Sequence, residues 1–475
     1  MMKLDGYEVI FICLKKLEMY DLLSLGVSKE KIYCYPVDKK KFHSNYEDSI
    51  VIIQNAITEF NLSNISTSIS LNYARNYDPS VPIENLYEEI AFQITWIKEI
   101  LLNENPDIVV SEFARSLYLI TKEICDHYKI NFFCPIEHRK SYFGTDLYAF
   151  YDKLGNKAGF EQELNSKSLL VFSESEKLFI KNFWDSFYDA KRSTGKKLAN
   201  YFGGINEFSR KLKFRFKRIP ALIKSFNIDR IHYPEKYIFG NQLIFIMRRF
   251  LINEIKNRFF LISRKKFFKN KNDIKQDYFY MPLGYYPELV SSLWGNQFYS
   301  FFDQEFSVIE QISKNLPVGT CLAIKEHLPM MKNRRLNFYK KVSRLYNVKL
   351  MSPYEDTHKL LENSLAAITI NGFIGFEAIM TSKPVLAFQG AYYKNLPFVK
   401  LIDLNGNLAD QLSIDSINNI RLADKDEKNK ILAAFYSSSC EISYDKKAGS
   451  LAAIINDKDI KKLADFYERF ISDSK

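Results

Sequence analysis

The heptapeptide AIKEHLP (323–329) sets a cation, a carboxylate and an imidazole side by side at the end of an apolar run and before a proline. Lys325 offers a fixed positive charge, Glu326 an acceptor, and His327 a ring that changes charge near neutral pH. At a strand end these groups suit phosphate binding, with His327 donating to a phosphate or a leaving group; a lone histidine there also serves as plain packing. A second segment, LAAITINGFIGFEAIMTSKPVLAF (365–388), reads as a buried strand ending in Asn371-Gly372, a turn through Phe373, and a helix opened by Gly375-Phe376-Glu377. Glycines let a ligand approach the backbone, and first-turn amides with the helix dipole favour a phosphate. Glu377 belongs either to that site or only to the favourable charge of a helix N-terminus. In YMPLGYYPELVSS (280–292), Glu288 follows a strand and can reach a reacting carbon or an acceptor hydroxyl, or merely cap the helix after Pro287. Nearer the N-terminus, Ser111 and Glu112 close PDIVVSE, and His138 and Arg139 follow INFFCPI. These four are candidates for acceptor binding, solvated loop charge being the plainer alternative for them.

The elements that must hold these groups alternate. Strands are expected at 8–14, 31–37, 106–112 and over INFFCPI, with helices at 19–27, 83–105 and over FARSLYLITKEICDHY. After residue 277 the alternation returns: strands at 278–283, 320–326, 347–351, 365–370 and 384–389, helices at 306–316, 334–346, 356–364 and 375–383. This predicts an α/β protein with two doubly wound, Rossmann-like domains, 1–165 and 277–407. A mostly helical insertion at 166–276 lies between them, and helices at 408–475 close the chain. Ligands of such sheets sit beyond the carboxyl ends of the strands, here in the cleft expected between the domains.

The 475 residues suffice for two or three domains, and 47% hydrophobic with 26% charged residues excludes a collagenous or mainly disordered chain. The net charge of +11 is unevenly spread: residues 191–276 hold 23 Lys and Arg against 5 Asp and Glu, a local +18, leaving −7 elsewhere. An anionic partner is indicated, either a membrane surface or nucleic acid. Lys211, Lys213, Arg215, Lys217 and Arg218 in KLKFRFKR are the candidate membrane contacts. No nucleic-acid-binding motif is present, so that rival is remote. The six cysteines form no C-x-x-C pair and are expected as buried thiols of a cytosolic protein. Neither a signal peptide nor a spanning run of about 18 apolar residues is found. Asp-x-Asp occurs only as DKD at 424–426 and 457–459, in charged helical surroundings, so no metal or other cofactor is expected.

Residues 278 to 398 resemble the capsule polysaccharide synthesis family, the KpsC/KpsS-like glycosyltransferases of bacterial surface polysaccharide clusters. The resemblance is carried by YFYMPLGYYPE, FFDQEFSVIEQISKNLPVG, IKEHLPMMKNRRLNFYKKV and ITINGFIGFEAIMTSKPVLAFQGAYY in that order. VVSEFARSLYLITKEICDHYKINFF resembles the family's first domain more loosely, and the basic middle has no counterpart among these motifs. The family commonly shows P-L-H-x-Q-P-E and K-E-H-P; here Gly284 and Tyr286 replace the His and Gln, and Leu328 separates His327 from Pro329. The resemblance implies a GT-B architecture and a nucleotide-sugar donor, CMP-linked ulosonic acids such as Kdo being used by relatives. It implies Glu288 as nucleophile or base, Lys325 and His327 on the donor phosphate, and residues 371–377 as the rest of the nucleotide site. The expectation is a peripheral membrane glycosyltransferase acting on a glycan or lipid-linked acceptor. A UDP- or GDP-sugar transferase and a GT-B-fold epimerase are the alternatives.

Overall fold

Strands buried on both faces need apolar residues at every position, and the C-terminal half of the chain supplies them. The computed structural model describes residues 7–62, 82–187, 266–284, 305–388, 391–442 and 457–474, except 15, 112–115, 139–142, 144, 153–154, 168–169, 328–333, 335 and 371. These residues form two units, the described parts of 1–132 with 455–475, and of 133–201 with 255–454.

In the first unit β1 (Phe11–Cys13) and β2 (Ile32–Cys34) pair in parallel, Phe11 opposite Ile32, with α1 (Lys16–Ser24) as the crossover. Helices α2 (Tyr46–Phe60) and α3 (Ile83–Glu104) pack together, then β3 (Ile108–Val110) and α4 (Ser116–His127) follow. On α3 the buried Leu86, Ile90, Ile94, Ile97 and Leu101 recur at helical spacing, and Asn105 ends the helix with φ 41°. Helix Asp457–Ser474 also belongs to this unit.

The second unit holds β4 (Asn131–His138) from residue 133 onward, β5 (Leu147–Asp152), α5 (Phe160–Ser166) and α6 (174–187). Its main sheet comprises β6 (Tyr278–Pro282), β7 (Cys321–Lys325), β8 (Val348–Met351), β9 (Ala367–Thr369), β10 (Val385–Ala387) and β11 (Val399–Leu401). Helices α7 (Glu305–Lys314), α8 (Leu336–Val342), α9 (Thr357–Glu362), α10 (Ile374–Met380) and α11 (Lys425–Ser437), with the short strand β12 (Cys440–Glu441), complete it. The sheet order is β11-β10-β9-β6-β7-β8, parallel in every pair. Numbered along the chain within this sheet, that order reads 3-2-1-4-5-6, the dinucleotide-fold arrangement. Its reversal falls between β6 and β9, which share one register pair, Tyr280 opposite Ala367.

Successive residues serve opposite faces. Tyr278, Tyr280, Cys321, Ala323, Ala367, Val385 and Ala387 meet α6, α9, α10 and α11 in one core. Phe279, Met281, Leu322, Ile324, Ile368 and Leu386 meet α7 and α8 in the other. Each fully buried large side chain contributes about 1.5–3 kcal/mol of transfer free energy. The chain is thus an α/β protein whose two units both alternate strands and helices, the class expected of a GT-B enzyme.

The unit boundary lies near residue 132 rather than 165. INFFCPI neighbours β3 in the sheet order β12-β5-β4-β3 and is also half of an antiparallel hairpin with β5, Phe133 opposite Asp152 and His138 opposite Leu147. Strand β12 joins β5 on its other edge, and Phe143, Phe160, Phe179, Phe183 and Phe187 enter the core around Phe376 and Phe435. The same packing takes α6, expected in the basic insertion, into the second unit. Residues 408–442, expected among C-terminal helices that pack back across the cleft, pack in this unit, Leu408, Leu412 and Ile417 on one face and Ile431 to Phe435 on the other. All six cysteines are free and buried.

Candidate functional site

The parallel sheet delivers its strand ends to one edge. Pro282 and Lys325 are register partners, and the Leu283 N–H donates to the Lys325 carbonyl at 2.9 Å, so β6 and β7 stop level with each other. The period of two that buries Cys321 and Ala323 puts the half-buried Lys325 on the same face, where its Nζ donates to Thr357 Oγ1 at 2.6 Å. Thr357 opens α9, and the Asp356 carboxylate caps that helix by accepting from the His358 and Lys359 N–H groups. A cation is thereby held at the strand end by a neutral hydroxyl.

His327 is exposed at the same edge, two residues beyond Lys325. Partial burial, then the charges of Arg334 and Lys325, push its pKa down to about 4. The imidazole is therefore neutral at pH 7 and can donate or accept a hydrogen bond, but it adds no charge to a phosphate. Positive charge at this edge comes from Lys325.

Glu326, expected among the donor contacts, is turned inward and is 2% exposed. Its Oε1 accepts from the His327 N–H at 2.8 Å, and its Oε2 accepts from the Tyr339 hydroxyl at 2.7 Å and pairs with Arg334 Nε at 2.8 Å. A carboxylate so occupied builds the loop rather than reaching outward. Arg334 extends to the Gly284 carbonyl, 3.2 Å from Nη2, and lies over the Phe338 ring.

The turn after β9 is likewise more built than open. The Gly372 N–H donates to Thr369 Oγ1 at 2.9 Å, its carbonyl accepts from the Tyr393 hydroxyl, and the Gly375 N–H donates to the Gly372 carbonyl at 3.2 Å. A Cβ on Gly375 would overlap the Tyr393 ring, so the glycine is needed to admit that tyrosine. Half-buried Phe373 packs against Phe143 and Phe376. Glu377 is 5% exposed and close enough to Tyr280, Tyr392 and Tyr393 to raise their pKa values, after burial itself. The expected phosphate cradle of Gly372, Phe373, Gly375 and Glu377 thus serves mainly to fix this turn.

His138, expected among the acceptor contacts, packs among aromatic side chains. Its Nε2 lies 2.8 Å from the Tyr151 hydroxyl, and its ring meets Phe143 and Phe435 edge-on at 5.6 and 5.0 Å. Burial, then the charge of Lys157, pushes its pKa down to about 3. Lys157 is buried as well, donating to the Ser438 carbonyl at 2.6 Å, and burial holds its ammonium well below the usual lysine range. His138 is thus half-buried, with its ring engaged by Tyr151, Phe143 and Phe435. Ser111 is half-buried directly after β3. Glu288, Asn371, Glu112 and Arg139 lie outside the described residues, as do Lys211, Lys213, Arg215, Lys217 and Arg218.

Thr357, Arg334, Tyr339 and Tyr393 were not singled out by sequence. Thr357 carried a signal, Asp356-Thr357 before an apolar run being an N-cap; Tyr339 and Tyr393 resemble any core tyrosine. Among the described residues no cluster of three His, Cys, Asp or Glu side chains suited to a metal is present, and no helix is long and apolar enough to cross a membrane.

Residues 227–397 match the family model described as capsule polysaccharide biosynthesis protein, bearing out the resemblance read from residues 278–398. The match begins inside the basic segment, which had shown no counterpart by motif. Among solved structures, the beta Kdo 2,7 transferase of Thermosulfurimonas dismutans KpsC is similar at 13% identity and a TM-score of 0.26, over 46% of this chain and 63% of that one. The chain thus spans less than two thirds of that relative. UDP-GlcNAc 2-epimerases from Methanocaldococcus jannaschii and Neisseria meningitidis match at 15% and 14% identity, each with a TM-score of 0.27, over 72% and 74% of this chain and 80% of theirs. None of the curated proteins matches. The fold assignment rests on the strand order, not on these likenesses.

Proposed function

We propose that this chain is a glycosyltransferase of capsule polysaccharide biosynthesis that takes its sugar from a nucleotide-activated donor. The observation carrying this reading is the convergence of Lys325 and His327 on the carboxyl edge of a 3-2-1-4-5-6 parallel sheet, inside the segment that matches the capsule family. In such sheets, ligands occupy the crevice where strand order reverses, here between β6 and β9, with β7 next to it. The Lys325 ammonium, already oriented by Thr357, takes the phosphate charge that grows as the glycosidic bond to the nucleotide breaks. Neutral His327 donates a hydrogen bond to the departing phosphate, or accepts the acceptor hydroxyl's proton. Glu288, six residues beyond β6 in the sequence, is the proposed nucleophile or base. No metal is required in this scheme.

The donor proposed is a CMP-linked ulosonic acid, on the family resemblance, and the acceptor a growing glycan or a lipid-linked one. Turnover of CMP-Kdo, UDP-GlcNAc and GDP-mannose, followed by nucleotide release and by mass of the extended acceptor, tests this. Transfer from the CMP donor alone is expected; nucleotide release without a lengthened acceptor, or an epimerised UDP sugar, would contradict it. The basic segment around Lys211 to Arg218 is proposed to hold the enzyme at anionic lipid, each basic residue near the surface contributing about 1 kcal/mol. Neutralising those five residues should abolish co-sedimentation with phosphatidylglycerol vesicles, and unchanged sedimentation would refute anchoring.

A further inference from the structure

Beside the strand-order reversal, β6 ends at Pro282 with Gly284 just beyond it, and β7 ends at Lys325 with His327 two residues on. Among the described residues, Arg334 links these two ends in addition to the backbone bond from Leu283 to Lys325. Arg334 is 6% exposed and Glu326 2% exposed, and they meet at 2.8 Å. A buried ion pair is weak evidence for stability, since its desolvation offsets its attraction. Its geometry is more informative. The guanidinium meets two partners at once, its Nε in an ion pair with Glu326 Oε2 and its Nη2 donating to the Gly284 carbonyl, while its face rests on Phe338. The other oxygen of the same carboxylate holds the His327 backbone N–H, and Tyr339 fixes Oε2 from α8. Gly284 itself is exposed, with open space where a Cβ would stand.

We infer that Arg334 is a positioning residue that couples the loop leaving β6 to the loop leaving β7, through Gly284 and Glu326, so that both are presented to the substrate as one body. This deepens the functional reading above and rests on it for its catalytic consequence, not for its structural one. Lysine cannot replace arginine here, because one ammonium on a flexible stem does not span two acceptors in fixed directions.

The test uses the full chain and two variants, Arg334→Lys, which keeps the charge, and Arg334→Met, which keeps the volume. Three readouts are taken: hydrogen exchange of peptides covering Met281–Gly284 and Lys325–His327, the His327 ring signal in an NMR titration, and kcat and KM with CMP-Kdo. Both variants should exchange faster in both peptides together. Arg334→Met should also move the His327 titration upward from about 4, because a repelling charge beside it is gone while Lys325 and Glu326 stay. Turnover should fall about 100-fold with KM nearly unchanged, the usual cost of misplacing a group by about 1 Å. A merely structural role would lower the melting temperature without this split. Exchange that rises in one loop only, or in neither, overturns the inference. Should the wild-type chain turn over no nucleotide sugar, the functional reading fails, while the exchange and titration results still decide the role of Arg334.

Discussion

His327 and His138 read alike in the sequence, each a histidine just beyond an apolar strand, yet the fold gives them opposite surroundings. His327 leaves a parallel strand at the edge where all six strands end, beside Lys325, and stays exposed. His138 ends a strand that pairs antiparallel with the next one, and Tyr151, Phe143 and Phe435 contact its half-buried ring. Both rings are neutral, with pKa values pushed to about 4 and about 3, and in both burial is the largest cause. A depressed pKa therefore does not separate the histidine proposed to act on substrate from the packed one. The direction of the neighbouring strand does.

The largest effect that sharpens this contrast is His327→Ala, expected to lower transfer by about 100- to 10,000-fold, the range of a general acid–base group, with an unchanged melting temperature. His138→Ala should do the reverse, leaving turnover per folded molecule intact. Losing the hydrogen bond to Tyr151 costs about 0.5–1.5 kcal/mol, read from urea unfolding. If His138→Ala instead lost turnover at full stability, the distinction would collapse.

Next in size are the glycines. Gly375→Ala drives a Cβ into Tyr393 and should destabilise by about 1–3 kcal/mol, whereas Gly284→Ala, with open space at its Cβ, should stay within about 0.5 kcal/mol. Equal effects at both sites would mean that the turn after β9 is not held as described.

The smallest effects are in pH. Because kcat/KM reports the free enzyme, an acid limb due to His327 should appear near pH 4, not 6.5, and the profile should be flat from pH 6 to 8 on its account. His138 acts on stability instead. Below about 6.5 the unfolded chain binds a proton that the folded ring refuses until about 3, so stability is full above 6.5 and declines as pH falls through that window. Unfolding free energies at pH 7 and 5 measure that loss, which should shrink in His138→Ala.

The second unit was largely legible because its strands, buried on both faces, read as unbroken apolar runs, and period, length and turn residues then agree; the strand expected at 320–326 is Cys321–Lys325, the helix at 356–364 is Thr357–Glu362. The hairpin was not, since a five-residue apolar run such as INFFC is the same whether its partner runs parallel or antiparallel. Gly144-Thr145-Asp146 before LYAFYD was the turn signal that could have placed it. In the site, Lys325 and His327 were legible from their position after a strand. Glu326, Gly375 and Glu377 have the right types, but sequence does not say that Arg334 and Tyr393 already occupy them. Such pairings are long-range and leave no local mark.

The central claim is that Lys325 receives a nucleotide phosphate at the carboxyl edge of this sheet. Calorimetric titration of CMP into the wild type and Lys325→Met tests it most directly. A hydrogen bond to a charged group contributes about 1.5–3 kcal/mol, so affinity should fall about 10- to 100-fold in the variant. Equal affinity in the two proteins would contradict the account.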